Sequence, residues 1–89
     1  MSKFGKGVGE TLDYSRDWTE WLDGDRITAS TWTSDGLTVE RTAHVGGVAT
    51  AWVSGGAVGK AHQLVNRIET EAGRVAERAM TITIFSMRE

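Results

Sequence analysis

Residues 61–85, AHQLVNRIETEAGRVAERAMTITIF, admit two readings, and the choice between them decides the fold. Ala61, Leu64, Val65, Ile68, Ala72, Val75, Ala76 and Ala79 recur at spacings of three and four, as one apolar face of a helix would. Against a helix, Gly73 would stand in its middle at a cost of about 1 kcal/mol relative to alanine. Residues 80–85 (MTITIF) also alternate with the period of two that a strand requires. Read as strands, Leu64, Asn66 and Ile68 share one face and Ala72-Gly73 makes a turn. Met80, Ile82 and Ile84 then line the core face of the returning strand. Periodicity alone leaves both readings open.

Upstream, the chain is strand-like. Residues 27–33 (ITASTWT) are β-branched, aromatic or small, Ser34-Asp35-Gly36 follows, and residues 37–43 (LTVERTA) begin with the alternation of Leu37 and Val39. Asp-Gly between two such runs predicts a hairpin. After Gly46-Gly47, residues 48–54 (VATAWVS) form a third run closed by Gly55-Gly56, so the three together predict an antiparallel meander. Residues 12–22 (LDYSRDWTEWL) predict one helical turn over residues 17–21, capped by Asp17. Residues 1–10 carry glycine at 5, 7 and 9 and predict a flexible N-terminal arm ahead of a single domain over residues 11–89.

Eighty-nine residues suit one core and not two. With 39% hydrophobic and 25% charged residues, the composition is that of a folding chain. No cysteine is present, which excludes disulfides and a thiolate metal site. The N-terminal glycines interrupt any signal-peptide core, and no apolar run approaches the roughly 20 residues of a membrane helix, so no membrane contact is expected. The ten basic residues are scattered singly at a net charge of −2, which supplies no concentrated positive face for nucleic acid.

In order and spacing, several of these pieces resemble a group of small proteins encoded among the virion genes of tailed phages and prophages, often labelled fibre–tail adaptor proteins. The resemblance runs roughly from Leu12 to Ile84. It rests on Leu12-Asp13-Tyr14, Asp17-Trp18 with Trp21-Leu22, Asp25, Ile27, Trp32-Thr33 and Gly36-Leu37-Thr38-Val39. It continues through Trp52-Val53-Ser54-Gly55-Gly56, Asn66-Arg67-Ile68, Ala72-Gly73-Arg74 and Ile82-Thr83-Ile84. What it implies is an all-β, immunoglobulin-like antiparallel sandwich of about seven strands with one short helical turn. Residues 61–85 then become the long penultimate and final strands, joined at Gly73. It further implies a non-catalytic structural component of a virion, made in the host bacterial cytoplasm. Such a component docks on other phage virion proteins (neck, tail, fibre or capsid subunits) at the head–tail junction, tail or capsid surface, in multiple copies of a symmetric assembly. Relatives tend to carry tyrosine where this chain has His62, at the start of the penultimate strand. A tyrosine there ties the corner of a sandwich to nearby backbone, and an imidazole nitrogen could make an equivalent bond. His62 is therefore expected to be a structural corner residue.

Nothing in the chain predicts catalysis. Two histidines and several serines occur without a Gly-x-Ser-x-Gly motif, and Gly55-Gly56-Ala57-Val58-Gly59-Lys60 lacks the ending and spacing of a phosphate-binding loop. Asp13, Asp17, Glu20, Asp23 and Asp25 are dense enough to suggest calcium, but their spacing is not that of an EF-hand, and no metal or cofactor is expected. Four tryptophans exceed what so small a core holds comfortably. Trp32 is assigned to the core. Trp18 and Trp21, three apart, either plug one end of the sandwich or, with Trp52 and with Phe4 of the arm, anchor contacts to a neighbour. The alternative function is a carbohydrate- or host-receptor-binding module, which would display two coplanar aromatics on an exposed sheet face.

Overall fold

Residues 61–85 fold as two strands. The computed structural model of the chain describes residues 2–86, those at 2–4 by backbone alone. Its elements are β1 (Ser2–Gly7), β2 (Leu12–Asp17), α1 (Thr19–Leu22), β3 (Ile27–Ser34), β4 (Leu37–Val45), β5 (Val48–Gly55), β6 (Ala61–Thr70) and β7 (Val75–Phe85). In β6 and β7 the buried side chains Leu64, Asn66, Ile68 and Thr70 and Met80, Ile82 and Ile84 alternate with a period of two. Of the other positions a helix would have buried, Ala61, Ala72 and Val75 are exposed. Gly73 closes the hairpin at φ +89°, where its N–H donates to Thr70 O at 2.9 Å. That left-handed conformation is what glycine permits without a Cβ penalty.

Two sheets result, in the orders β1-β7-β6-β3 and β2-β5-β4. All neighbours are antiparallel except β1 and β7, which run parallel from Ser2 beside Met80 to Gly7 beside Phe85. Between the sheets lie Tyr14, Trp18, Leu22, Ile27, Trp32, Leu37, Ala49, Ala51, Val53, Leu64, Ile68, Met80, Ile82 and Ile84. This is the immunoglobulin-like sandwich that the resemblance implied.

Three local expectations differ from the structure. The Asp35-Gly36 turn does not join a hairpin, because β3 pairs with β6 and β4 with β5, so residues 35–36 carry the chain from one sheet to the other. Turn chemistry determines that the chain reverses there, while burial of both flanking faces determines which sheet each strand enters. The helical turn spans Thr19–Leu22 with Trp18 at its N-cap, and Asp17 contributes by accepting the Thr19 N–H at 2.9 Å. Finally, Ser2–Gly7, expected in a flexible arm, forms an edge strand. Its ladder to β7 satisfies backbone groups that glycine-rich composition alone leaves unassigned.

Candidate docking surface

Two of the four tryptophans, the buried Trp18 and the half-exposed Trp21, belong to one network at the α1 end. Trp18 is 2% exposed and donates from Nε1 to Asn66 Oδ1 at 2.8 Å. Asn66, fully buried, donates in turn to Ser30 Oγ at 3.0 Å and Thr31 O at 3.1 Å. The Trp21 ring meets Trp18 edge to face, with centroids 5.4 Å apart, and carries the Arg74 guanidinium 4.2 Å above its own centroid. Arg74 fastens α1 to the β6–β7 hairpin, donating to Leu22 O at 2.7 Å, Trp21 O at 3.4 Å and Asp25 Oδ2 at 3.1 Å. A hydrogen bond from the Thr70 hydroxyl leads the effects that hold the Asp25 carboxyl down to about 2. The Arg26 and Ala72 N–H groups and Arg74 add to it, while desolvation opposes it. Trp18 is thus inside the protein and offers a neighbour no surface. A sequence reading that seeks exposed tryptophans misses its depth, because Asp17, Thr19 and Glu20 flank it with polar side chains.

Trp52 stands apart from this network. In β5, Ala49, Ala51 and Val53 point into the core, so Val48, Thr50, Trp52 and Ser54 form the outer face of the three-stranded sheet. Register sets Trp52 between Asp13 of β2 and Arg41 of β4. The Arg41 guanidinium lies 4.0 Å from the ring centroid. A bulge between Val39 and Arg41 creates this arrangement, since it lets two successive charged residues avoid the core. Glu40 accepts from Ser54 Oγ, and Arg41 covers Trp52. Beside that half-exposed ring lie Asp13 and a Ser15–Thr50 hydroxyl pair 2.8 Å apart, while Asp17 and Val45, the latter 80% exposed, sit opposite Val48 at the far end of the face. The Phe4 side chain, also expected at an interface, lies outside the described residues.

The His62 ring sits at the opposite end from α1 and touches two connections. Nε2 accepts the Ala57 N–H at 3.4 Å, and Nδ1 lies 3.6 Å from Asp35 Oδ1. Gly36 is glycine for a visible reason: a Cβ there would fall 2.1 Å from His62 Nδ1. His44 occupies the far end of β4, where it lines a cleft of about 510 Å³ with Thr19, Leu22, Arg26 and Ile27. The two histidines are therefore at different ends of the sandwich. Of the acids between 13 and 25, Asp13 faces outward beside Trp52, Asp17 is bound to Thr19, and Asp25 to Arg74. Among the described residues, no group of three or more His, Asp or Glu is placed to hold a metal ion. No helix among them is long and apolar enough to cross a membrane. The half-exposed aromatics Trp21 and Trp52 stand in separate clusters and do not form a shared coplanar platform.

A residue the sequence reading did not single out is Lys6. It is fully buried, and its Nζ donates to Gly55 O at 2.8 Å and Gly7 O at 3.0 Å. Its facing inward follows from its register beside Ile84, and that register is invisible until β1 is paired with β7.

Fold and surface together define a small immunoglobulin-like module whose prominent outer feature is an arginine-stacked tryptophan. Among solved structures, the PKD domain from KIAA 1837 protein is similar, with a TM-score of 0.62 at 13% identity over 100% of this chain and 85% of that one, a likeness of fold alone. No curated protein matches the chain. A family model described as Podophage GP4 fiber-tail adaptor protein gp77 matches residues 6–83, and the chain belongs to that family. It is accordingly a structural phage protein of the tail adaptor type.

Proposed function

We propose that this chain is a non-catalytic virion part that joins tail and fibre subunits, and that it docks through the outer face of its three-stranded sheet with Trp52 and Arg41 at the centre. The supporting observation is the Arg41 guanidinium stacked 4.0 Å over a Trp52 ring that the core does not enclose. Tryptophan and arginine dominate interface hot spots. A ring already held between cross-strand neighbours also loses little freedom when a partner covers it. Asp13 and Glu40 beside the ring, with Asp17 farther along the same face, favour a partner that brings basic side chains to the margin. Several copies would take equivalent positions around a symmetric tail.

The test is Trp52→Ala in the phage that encodes the chain. An exposed-face substitution leaves the sandwich folded, so its circular dichroism and thermal transition are expected to stay close to those of the parent. Its amount in purified particles is expected to fall at least tenfold. Incorporation at the parental level would refute the assignment of this face.

A further inference from the structure

The N-terminal strand is held by the body of the domain far more than by its own connection. β1 (SKFGKG) is short, carries one large apolar residue, and has glycine in its interior, where strands are weakened. Its attachments are the parallel ladder to β7, the Tyr14 hydroxyl donating to Gly5 O at 3.1 Å, and the buried Lys6 ammonium donating to Gly55 O at 2.8 Å. Residues 8–11 extend that ladder by one bond, Val8 N–H to Phe85 O at 2.8 Å, and otherwise form a local turn. In that turn Gly7 N–H donates to Glu10 Oε1 at 2.8 Å and Glu10 N–H to Gly7 O at 3.1 Å. Gly9 takes φ +89° with nothing close to it. Extended, the five steps from Gly7 to Leu12 reach about 16 Å.

We infer that β1 is exchangeable between copies: within an assembly, residues 2–7 of one copy lie along β7 of a second copy, with Lys6 in that copy's slot beneath Gly55. Exchange preserves the ladder, the Tyr14 bond and the Lys6–Gly55 bond, and gives up only the turn at residues 7–10. Without β1, β7 would present the longest strand of the fold, 11 residues, as a bare edge. The occupant is a second copy because the site selects this strand. A Cβ at Gly5 would stand 3.0 Å from the Phe85 ring, which favours glycine, and the next position must supply an ammonium to the part-buried Gly55 carbonyl. A short tether gives the chain's own β1 an effective concentration in the millimolar range, so dilute protein keeps β1 at home and neighbours held within reach exchange it. This inference is independent of the Trp52 face and is read without particles.

Lys3 and Thr81 are register partners across the β1–β7 pair. A full-length chain carrying both Lys3→Cys and Thr81→Cys is expected to oxidise within one chain. Full-length Lys3→Cys and Thr81→Cys chains, co-refolded at millimolar concentration, are expected to give a disulfide-linked pair several-fold in excess of either variant alone. If the double variant oxidises and the mixture gives no excess, the inference fails. In a second measurement, deleting Val8 and Gly9 from the full chain removes that turn and leaves three steps from Gly7 to Leu12, about 10 Å at full extension, which biases β1 toward a neighbour's β7. Light scattering is expected to show a dimer or larger species that persists on dilution, and a folded monomer would overturn the inference.

Discussion

Replacing Asn66 by leucine tests the polar centre of an otherwise apolar core. Asn66 makes three hydrogen bonds with no exposure, accepting from Trp18 Nε1 and donating to Ser30 Oγ and Thr31 O. Both donated bonds are only part-buried, and the Ser30 hydroxyl can turn to water. Trp18 cannot, and a buried N–H left without a partner costs about 1–3 kcal/mol. Losing the two donated bonds adds about 1 kcal/mol each, and forcing a branched side chain into this slot about 1 kcal/mol more. Burying leucine returns about 1.5–3 kcal/mol. The net loss is roughly 1–4.5 kcal/mol, out of a total of about 5–15 kcal/mol for a domain. At about 4–8 °C per kcal/mol for a chain this size, Tm should fall by roughly 4–36 °C. Thermal unfolding by circular dichroism, paired with guanidinium unfolding by tryptophan fluorescence, measures it. Trp18→Phe, which orphans only the Asn66 oxygen, should cost about 1–3 kcal/mol. An Asn66→Leu variant within about 0.5 kcal/mol of the parent, the range of ordinary surface changes, would refute the reasoning.

The other tryptophans and the ionisable groups give sharper contrasts. Trp32 Nε1 is buried without a partner among the described residues, so Trp32→Phe removes an unsatisfied group and should cost well under the Trp18→Phe change in the same denaturation assay. The Asp25 carboxyl is lowered to about 2 from its usual 3.8, so its contribution is complete above about pH 4 and disappears as pH falls toward 2. Melting curves across that window should show Asp25→Asn losing its disadvantage to the parent as the pH drops, and a constant difference would contradict the Arg74–Thr70 setting. Gly36→Ala drives a methyl into the His62 ring and should cost about 1–3 kcal/mol. In a His62→Ala background at least half of that cost should vanish, because the two sites share one space. We propose that His62 holds the corner between residues 35–36 and Ala57. His62→Tyr should accordingly keep a single cooperative transition, and loss of folding would argue against that role.

How far the chain could be read from its sequence depends on what decides each feature. The alternation of Leu64, Asn66 and Ile68 and of Met80, Ile82 and Ile84 was visible because a half-buried strand writes its period into the chain. The competing helical pattern shares the buried Leu64 and Ile68 but also draws on Ala61, Ala72 and Val75, which are exposed in the fold. The role of Asp35-Gly36 is not legible, because local turn chemistry is the same whether the next strand returns to the same sheet or crosses to the other. Trp52 was identified as a surface candidate, whereas its arginine was not, since a single bulged residue changes which side of β4 Arg41 occupies. Lys6 and Asn66 are polar residues whose hydrogen bonds are completed by partners about fifty positions away, Gly55 and Trp18. Composition gives no sign of either.

The measurement closest to the central claim is an electron cryo-microscopy map of the intact particle with this domain placed in it. The account expects the sandwich among the tail and fibre subunits, with the outer face of β2, β5 and β4 covered and a partner side chain against Trp52. A map that places the domain with Trp52 and Arg41 facing solvent, or particles that lack the chain altogether, would contradict it.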